Sequence, residues 1–535
     1  MSSALSSRKG SPTPYSRALS KETSIAQAHD RDSSNSISSQ DVEKGVETPE
    51  KSRGQDHERQ ANGNDEYYTK IVEEFDGPND PENPMNWPLR TKYLTTVLYS
   101  TLTFCITFSS SVFSTATMVT SQKFGVSTEV MTLGTSLVVI GFALGPIIWG
   151  PLSELYGRKI PLFTGFAIFA IFQIPVAVAQ NVETIMLARF LTGLFGSSSL
   201  AIIGGTLADF WDPVQRGFAL GLFAGATFIG PVAGPIVGGF ITQSYLGWRW
   251  TAWITLIMAS FFGLVAVLVC KESYVPVILQ RRATKRKHAT KNWAIHAPID
   301  ENPVTTHDII TKYLIRPWKM LILEPILVLI TIYVSLIYGM IYLFFEAYPV
   351  AFQEDRGWNL GVGALPFLGI TIGVVIGVAF ITYTSQTRYK RKMDANGGKP
   401  VPEERLVPMV AGAILLPIGL FWFAWTSNKN ISWVPQVIAG VPIGAGIIMI
   451  FLQGLSYIID VYLMYANSAL AANTFVRSLA GGGFPMFAAA MYHNLGVNWA
   501  TSLLGFICVA FIPAPILFFI YGKRIRQMSK FAPDI

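Results

Sequence analysis

Long apolar runs dominate this chain and constrain what it can fold into. Twelve runs of mostly apolar residues follow one another, at 93–116, 130–150, 161–179, 184–206, 217–241, 250–270, 321–348, 363–385, 407–426, 434–457, 467–490 and 499–521. About 20 apolar residues carry an α-helix across the hydrocarbon core of a bilayer. No water is available there, so each span must satisfy its own backbone hydrogen bonds. The sequence therefore predicts an all-α membrane protein.

Composition and charge placement agree with this fold class. Charged residues make up only 14% of the chain, against roughly a quarter in soluble domains. The net charge of +7 lies mainly in the loops, which is typical of membrane orientation and argues against nucleic-acid binding. The three cysteines lie within or beside apolar runs without metal-like spacing, so neither a disulfide framework nor a metal site is expected.

Lysine and arginine counts in the loops predict the orientation. One side holds the basic clusters around residues 158–159, 281–287, 388–392 and 523–526, which places both termini and the central loop in the cytosol. Asn430 begins an Asn-Ile-Ser glycosylation acceptor in a predicted external loop. The expected organisation is a disordered cytosolic tail with a pre-membrane segment (1–88), a six-helix bundle (89–270), a cytosolic loop (271–320), a second six-helix bundle (321–522) and a C-terminal tail (523–535).

The two halves contain similar residues at corresponding positions. Asp209 ends the fourth span and Asp460 ends the tenth, and a proline follows each at a similar distance, in Gly230-Pro231 and Phe484-Pro485. Six spans, a loop and six more spans suggest two repeats. Transporters commonly have this build, with the substrate held near the midplane between the halves.

The loop after the second span carries a recognisable string. It reads Gly-Pro-Leu-Ser-Glu-Leu-Tyr-Gly-Arg-Lys over 150–159, and it resembles the best-known signature of the major facilitator superfamily. Glu154 stands where that family usually has Asp. The resemblance extends from about residue 90 to the C-terminus. It implies two six-helix bundles around a central cavity, with Gly150, Glu154, Gly157 and Arg158 in a cytosolic conformational gate.

The fifth span carries a second string, a stripe of small residues at four-residue spacing that lets another helix approach closely. Its members are Gly230, Pro231, Gly234, Pro235 and Gly238. The string resembles the superfamily signature associated with antiporters, which implies export against an inward proton flow. Shorter strings at 247–250, 272–276, 342–349 and 469–478 together resemble the fungal drug:proton antiporters of the twelve-span type. That group includes exporters of drugs, polyamines, organic acids and fungal toxins.

Proton coupling needs a group that titrates inside the protein. Glu346, Asp209 and Asp460 are the candidate acids, and Glu346 is the most intramembrane; no acid lies in the first span. Arg189 lies within the fourth span, in a string resembling the second superfamily signature, and must face the interior because a charge at this depth is costly. Two roles are open for it. It helps set the charge of Glu346 together with Arg477, or it is structural and bonded to backbone carbonyls.

Six residues are candidates for a substrate site: Phe104, Phe108, Tyr338, Tyr342, Asn473 and Arg477. Tyr338, Tyr342 and Glu346 recur every fourth residue and share one helix face, although such aromatic stripes also arise from simple packing. One intramembrane acid against two arginines disfavours a polyamine and favours a weakly acidic or neutral amphiphile.

These patterns together predict a proton-coupled efflux transporter of a small amphipathic molecule. The chain has no phosphate-binding loop and no catalytic cluster, so neither an ATP-driven pump nor an enzyme is expected. We expect a monomer without cofactor, with the substrate, protons and lipid as partners. The plasma membrane is the expected location and the vacuolar membrane the alternative. A polyamine or organic-acid exporter and a non-transporting sensor are the alternative functions.

Overall fold

The structure is a computed structural model that describes residues 71–212, 215–301 and 310–532. The predicted disordered tail before residue 69 lies outside the described residues.

Helices account for nearly all of the described chain. The first half contains α1 (Leu89–Val112), α2 (Thr128–Leu155), α3 (Lys159–Ile171, continued by Gln173–Val178), α4 (Val182–Phe210), α5 (Arg216–Gln243) and α6 (Arg249–Val269). Helix α7 (Val275–Thr290) lies in the central loop. The second half contains α8 (Pro325–Tyr348), α9 (Phe367–Thr384), α10 (Leu406–Trp425), α11 (Trp433–Tyr462), α12 (Ala466–Phe511) and α13 (Pro513–Arg526). Eleven continuous helical segments of the described chain are long and apolar enough to cross a membrane.

The last of these segments, 466–526, contains two passes. Gly496 has φ 70° and ψ 160°, which is not helical backbone. Asn473 donates to Thr331 at 3.2 Å, and Phe511 stacks on Tyr333 with ring centroids 5.1 Å apart. Both therefore lie beside the same part of α8, although a straight helix would separate them by roughly 50 Å at 1.5 Å per residue. The chain reverses at Gly496, and the predicted twelve passes are confirmed.

Equivalent glycines in the two halves allow neighbouring helices to pack closely. A Cβ on Gly193 of α4 would collide with the backbone of Val138 in α2, and a Cβ on Gly373 of α9 would collide with the backbone of Val441 in α11. These are the second and fourth membrane helices of each half. Only glycine allows backbones to approach this closely, so the equivalent contacts support the predicted repeat.

The segments before and after the first half of the molecule pack on each other. Strand β1 (Ile71–Val72) pairs in parallel with β2 (Ile295–His296). Arg282 of α7 donates to Asp80 at 2.6 Å and also pairs with Glu73 and Asp76. Part of the predicted polar loop is thus helical, because these ion pairs and a small apolar cluster give α7 a surface to fold against.

Candidate functional site

A buried group of aromatic rings and one arginine lies between the two halves. This central cluster consists of Phe228, Tyr338, Tyr342, Phe451 and Arg477, each at most 6% exposed. Phe228 of α5 meets Phe451 of α11 edge to face, with centroids 4.5 Å apart. Tyr338 of α8 stacks on Phe451 at 6.2 Å. Helices of both halves therefore present ring faces to one another in the membrane interior.

Arg477 completes the cluster without an anionic partner. Its guanidinium carbon lies 4.9 Å from the centroid of the Phe451 ring and 5.2 Å from that of Tyr338. Its Nε and Nη1 atoms are buried and have no hydrogen-bond partner in the structure. Two desolvated cation–π contacts offset roughly 2 kcal/mol each, but each unsatisfied N–H costs about 1–3 kcal/mol. An acceptor brought by a ligand would lower the free energy of this site.

The predicted substrate residues Tyr338 and Tyr342 also form a hydrogen-bonded chain to the first half. The Tyr338 and Tyr342 hydroxyls lie 3.4 Å apart, and the Tyr342 hydroxyl lies 3.0 Å from Oγ of Ser110 in α1. The chain links the two halves at the centre of the membrane, so it must break when they separate there.

The other three predicted substrate residues are placed differently. Asn473 is fully buried and donates from Nδ2 to Thr331, while its Oδ1 has no partner. Phe104 and Phe108 stack on each other with centroids 5.9 Å apart. Among the described residues, their ring contacts do not include a member of the central cluster. Phe228 and Phe451 were missed by sequence reasoning because nothing in an apolar run separates a ring that faces the centre from one that packs elsewhere.

All three guanidinium nitrogens of Arg189 donate hydrogen bonds, in contrast to those of Arg477. Nε donates to the carbonyl of Gly134 at 2.8 Å, Nη1 to that of Ser109 at 2.7 Å and Nη2 to that of Ser110 at 3.0 Å. The residue ties α4 to α1 and α2. Of the two roles open from the sequence, these contacts favour the structural one.

Glu346 lies one turn beyond Tyr342 on α8 and is partly buried. No hydrogen bond or ion pair within the described chain holds its carboxylate. The charged groups that act on it are Glu354 and His493, which bond each other at 2.8 Å. The structure does not bring Glu346 into contact with Arg189 or Arg477. Arg189 donates to carbonyls of α1 and α2, and Arg477 lies against Tyr338, about two turns before Glu346 on α8.

Asp209 and Arg158 form a network between the C-terminal end of α4 and the N-terminal end of α3. Arg158 Nε lies 3.1 Å from Asp209 Oδ2, and Ser273 donates to the same oxygen at 3.2 Å. The Glu272 carboxylate accepts from the backbone N–H of Arg158 at 2.8 Å. Gly157 has φ +89° and lies against that carboxylate, so a side chain there would be strained and would collide with it.

Asp460 occupies the equivalent network in the second half. Arg405 Nε lies 2.9 Å from Asp460 Oδ2, and Tyr389 donates to the same oxygen at 3.1 Å. Sequence reasoning missed Arg405 and Tyr389. The repeat itself carried the signal, because Arg405 directly precedes α10 as Arg158 directly precedes α3, and these are the third membrane helices of the two halves.

Glu154, near the C-terminal end of α2, forms a bond between the halves. Its carboxylate lies 2.7 Å from Lys312 Nζ and accepts from Asn467 Nδ2 at 3.1 Å. Lys312 precedes the second bundle and Asn467 begins α12. Gly150, at the start of the same string, accepts through its carbonyl from Ser153. Among the predicted gate residues, Glu154 bonds to residues of the other half.

The predicted glycine stripe of α5 packs against α1. A Cβ on Gly234 would lie 2.8 Å from the backbone nitrogen of Val112, and a Cβ on Gly238 would lie 2.7 Å from the Val112 carbonyl oxygen. Gly230 faces α1 in the same way. Pro231 and Pro235 lie inside the helix. A further stripe on α5, Gly217, Gly221 and Gly225, faces residues 378–385 at and just beyond α9 of the other half, and its four-residue spacing was visible in the sequence.

Two further predictions concern Asn430 and the three cysteines. Asn430 is exposed, between α10 and α11. Cys105, Cys270 and Cys508 are buried and unpaired.

Comparison with known proteins identifies the class that this fold and site define. Residues 99–485 match the sequence profile of the Major Facilitator Superfamily. A proton:xylose symporter of that superfamily superposes with a TM-score of 0.56 at 15% identity, covering 80% of this chain and 96% of the symporter. The fold is thus two six-helix bundles of the major facilitator type.

Fungal relatives are much closer in sequence. A citrinin biosynthesis cluster transporter of Monascus ruber is 62% identical over 461 residues, which is 86% of this chain and 92% of the relative. An ascochitine biosynthesis cluster transporter of Didymella fabae is 55% identical over 462 residues, 86% of this chain and 89% of the relative. The chain belongs to the Major Facilitator Superfamily; it is a multi-pass membrane transporter and not an enzyme.

Proposed function

We propose that this transporter exports a small amphipathic secondary metabolite from the cytosol in exchange for protons. The observation that carries the proposal is the central cluster, in which rings from both halves surround an arginine without an acceptor. A molecule with apolar ring faces and a polar group complements such a site. Opening the site alternately to either side then moves the molecule across the bilayer.

The relatives support the substrate class. Two of them are named for the biosynthesis clusters of citrinin and ascochitine. Each is more than half identical to this chain over 86% of its length. Citrinin is therefore the first compound to test. A polycation fits poorly, because the charged side chain in the cluster is an arginine.

The proposed direction of transport is argued from α5, and the proposed proton coupling is argued from Glu346. The glycine–proline string resembles that of antiporters. Its packing against α1 brings the backbones of the two helices close together. Glu346 is a partly buried carboxyl without an ion pair on the face of the central tyrosines. Such a group can take up and release a proton as its surroundings change. We therefore propose that Glu346 carries the exchanged proton. Asp209 and Asp460 are the reserve candidates, although both are held by arginines. We propose the plasma membrane as the location, with the vacuolar membrane as the alternative.

The proposal is tested with inside-out vesicles from a transporter-depleted yeast. An acidic lumen is imposed without ATP, and citrinin uptake is measured. Passive partition of a weak acid runs away from an acidic lumen, so accumulation there requires the transporter. We expect accumulation that a protonophore abolishes and that vesicles without the transporter lack. Uptake that survives the protonophore would refute proton exchange, and failure of every compound in a panel of toxins, azoles, polyamines and carboxylates would refute export.

A further inference from the structure

Arg477 and Arg189 are two buried arginines with opposite bonding. Both lie in membrane helices, and they are 6% and 1% exposed. Arg189 donates to three backbone carbonyls, whereas Nε and Nη1 of Arg477 have no acceptor. A buried guanidinium with unmade hydrogen bonds destabilises the fold. The fold supplies acceptors for the guanidinium of Arg189 but, within the described residues, not for these two atoms of Arg477.

The surroundings of Arg477 define what would satisfy it. The groups that act on it electrostatically are the phenols of Tyr338 and Tyr342, and the ion pairs within the described chain do not include it. Ring faces of Tyr338 and Phe451 lie beside the guanidinium. The missing component is an acceptor for these N–H groups. A carboxylate suits them, because a charge-assisted guanidinium–carboxylate hydrogen bond is roughly twice as strong as a neutral one.

We propose that the transported molecule is an aromatic or conjugated organic acid whose ionised carboxylate pairs with Arg477 while its ring system lies against Phe451 and Tyr338. This inference rests on the proposed function and narrows its substrate class from amphiphiles to anions. Neutral and cationic amphiphiles of the same shape leave the guanidinium unpaired and bind less well. The Tyr342 hydroxyl, which reaches Ser110, then connects the occupied site to the first half.

Equilibrium binding to the purified full-length protein tests the charge preference without any gradient. The probes are 2-naphthoate, methyl 2-naphthoate and 2-naphthylmethylamine, measured by tryptophan quenching. We expect the anion to bind at least ten-fold more tightly than the ester or the amine. Arg477→Gln is expected to weaken the anion at least ten-fold and to leave the ester unchanged, and Arg477→Lys is expected to fall between. As a control, Arg388→Gln, which changes a half-exposed pair with Glu404, keeps the wild-type pattern.

Thermal unfolding of the ligand-free protein separates a ligand residue from a structural one. Arg477→Met is expected to raise the unfolding temperature, because it removes a buried group with unmade bonds. Arg189→Met is expected to lower it, because three carbonyls lose their donor. Equal or tighter binding of the ester or amine, no saturable binding of the anion, or a lower unfolding temperature for Arg477→Met would each overturn the inference. Gradient-driven export of a neutral compound would survive that outcome, so the proposed function and this inference can fail separately.

Discussion

The hydroxyl groups of Ser110 and Tyr342 lie 3.0 Å apart in the membrane interior and join the first membrane helix of one half to the first of the other. The bond is buried, and in an alternating-access cycle it exists only while the halves meet at the centre. Removing this bond should therefore change the equilibrium between the conformations.

Tyr342→Phe removes this bond without changing the ring. A buried neutral hydrogen bond contributes about 1 kcal/mol, so the closed population should fall about five-fold relative to the open ones. Spin labels at Lys123 and Lys429, at the outer ends of the two halves, report the populations by electron–electron distance measurement. Tyr348→Phe is the matched control, because its buried hydroxyl has no partner. Identical distance distributions for both variants and wild type would show that the bond does not set the balance.

The α5 stripe makes a second prediction. Gly234→Leu and Gly238→Leu place side chains where the backbone of α1 lies. Overpacking costs about 1–3 kcal/mol, enough to disfavour one of two nearly balanced conformations, so both variants should reach the membrane and lose transport. Gly483→Leu is the control, since a Cβ there has open space around it. Wild-type transport rates in both stripe variants would show that α1 and α5 need not approach closely during the cycle.

The buried pair of Arg405 and Asp460 predicts a large effect on stability. Their side chains are 8% and 6% exposed, and breaking a buried pair by removing one partner costs about 3–5 kcal/mol. Arg405→Ala should lower the free energy of unfolding by that amount in a denaturant titration. Arg388→Ala, which breaks a half-exposed pair, should cost at most about 1 kcal/mol. Similar losses in the two variants would mean that water reaches Asp460.

The contact between Arg282 and Asp80 predicts a pH dependence. The hydrogen bond from Arg282 lowers the pKa of Asp80 to about 2. A carboxyl with a lowered pKa stabilises the folded contact above its unfolded pKa, and the contribution is lost as the pH falls through the folded value. A fluorophore on Asn79→Cys should keep high anisotropy down to about pH 4, the ordinary Asp value, and lose it towards pH 2. Arg282→Ala should give low anisotropy already at pH 7. A wild-type midpoint at the ordinary Asp value, or an unchanged Arg282→Ala, would contradict the contact.

The spans, the repeat and the α5 stripe could be predicted because each depends on local sequence. A span needs only enough apolar residues to cross the bilayer, and the stripe needs only its four-residue spacing. The partners of Asp460, the carbonyls around Arg189 and the rings around Arg477 depend on which helix faces meet, which no apolar run specifies. Glu346 shows the same limit. Its helix face was predicted from its spacing to Tyr342, whereas its neighbours Glu354 and His493 became visible only in the fold.

Proton exchange is the central claim, and substrate-driven proton movement tests it most directly. The purified protein is placed in liposomes that contain a pH-sensitive dye and carry no initial pH gradient, and citrinin or another substrate from the panel is added outside. Because the account has substrate and protons moving in opposite directions, the lumen should become more alkaline than in protein-free liposomes that correct for passive entry of the acid. Glu346→Gln should let substrate equilibrate without that excess alkalinisation. Excess acidification of the lumen, or substrate entry through the wild-type protein with no proton movement, would contradict the account.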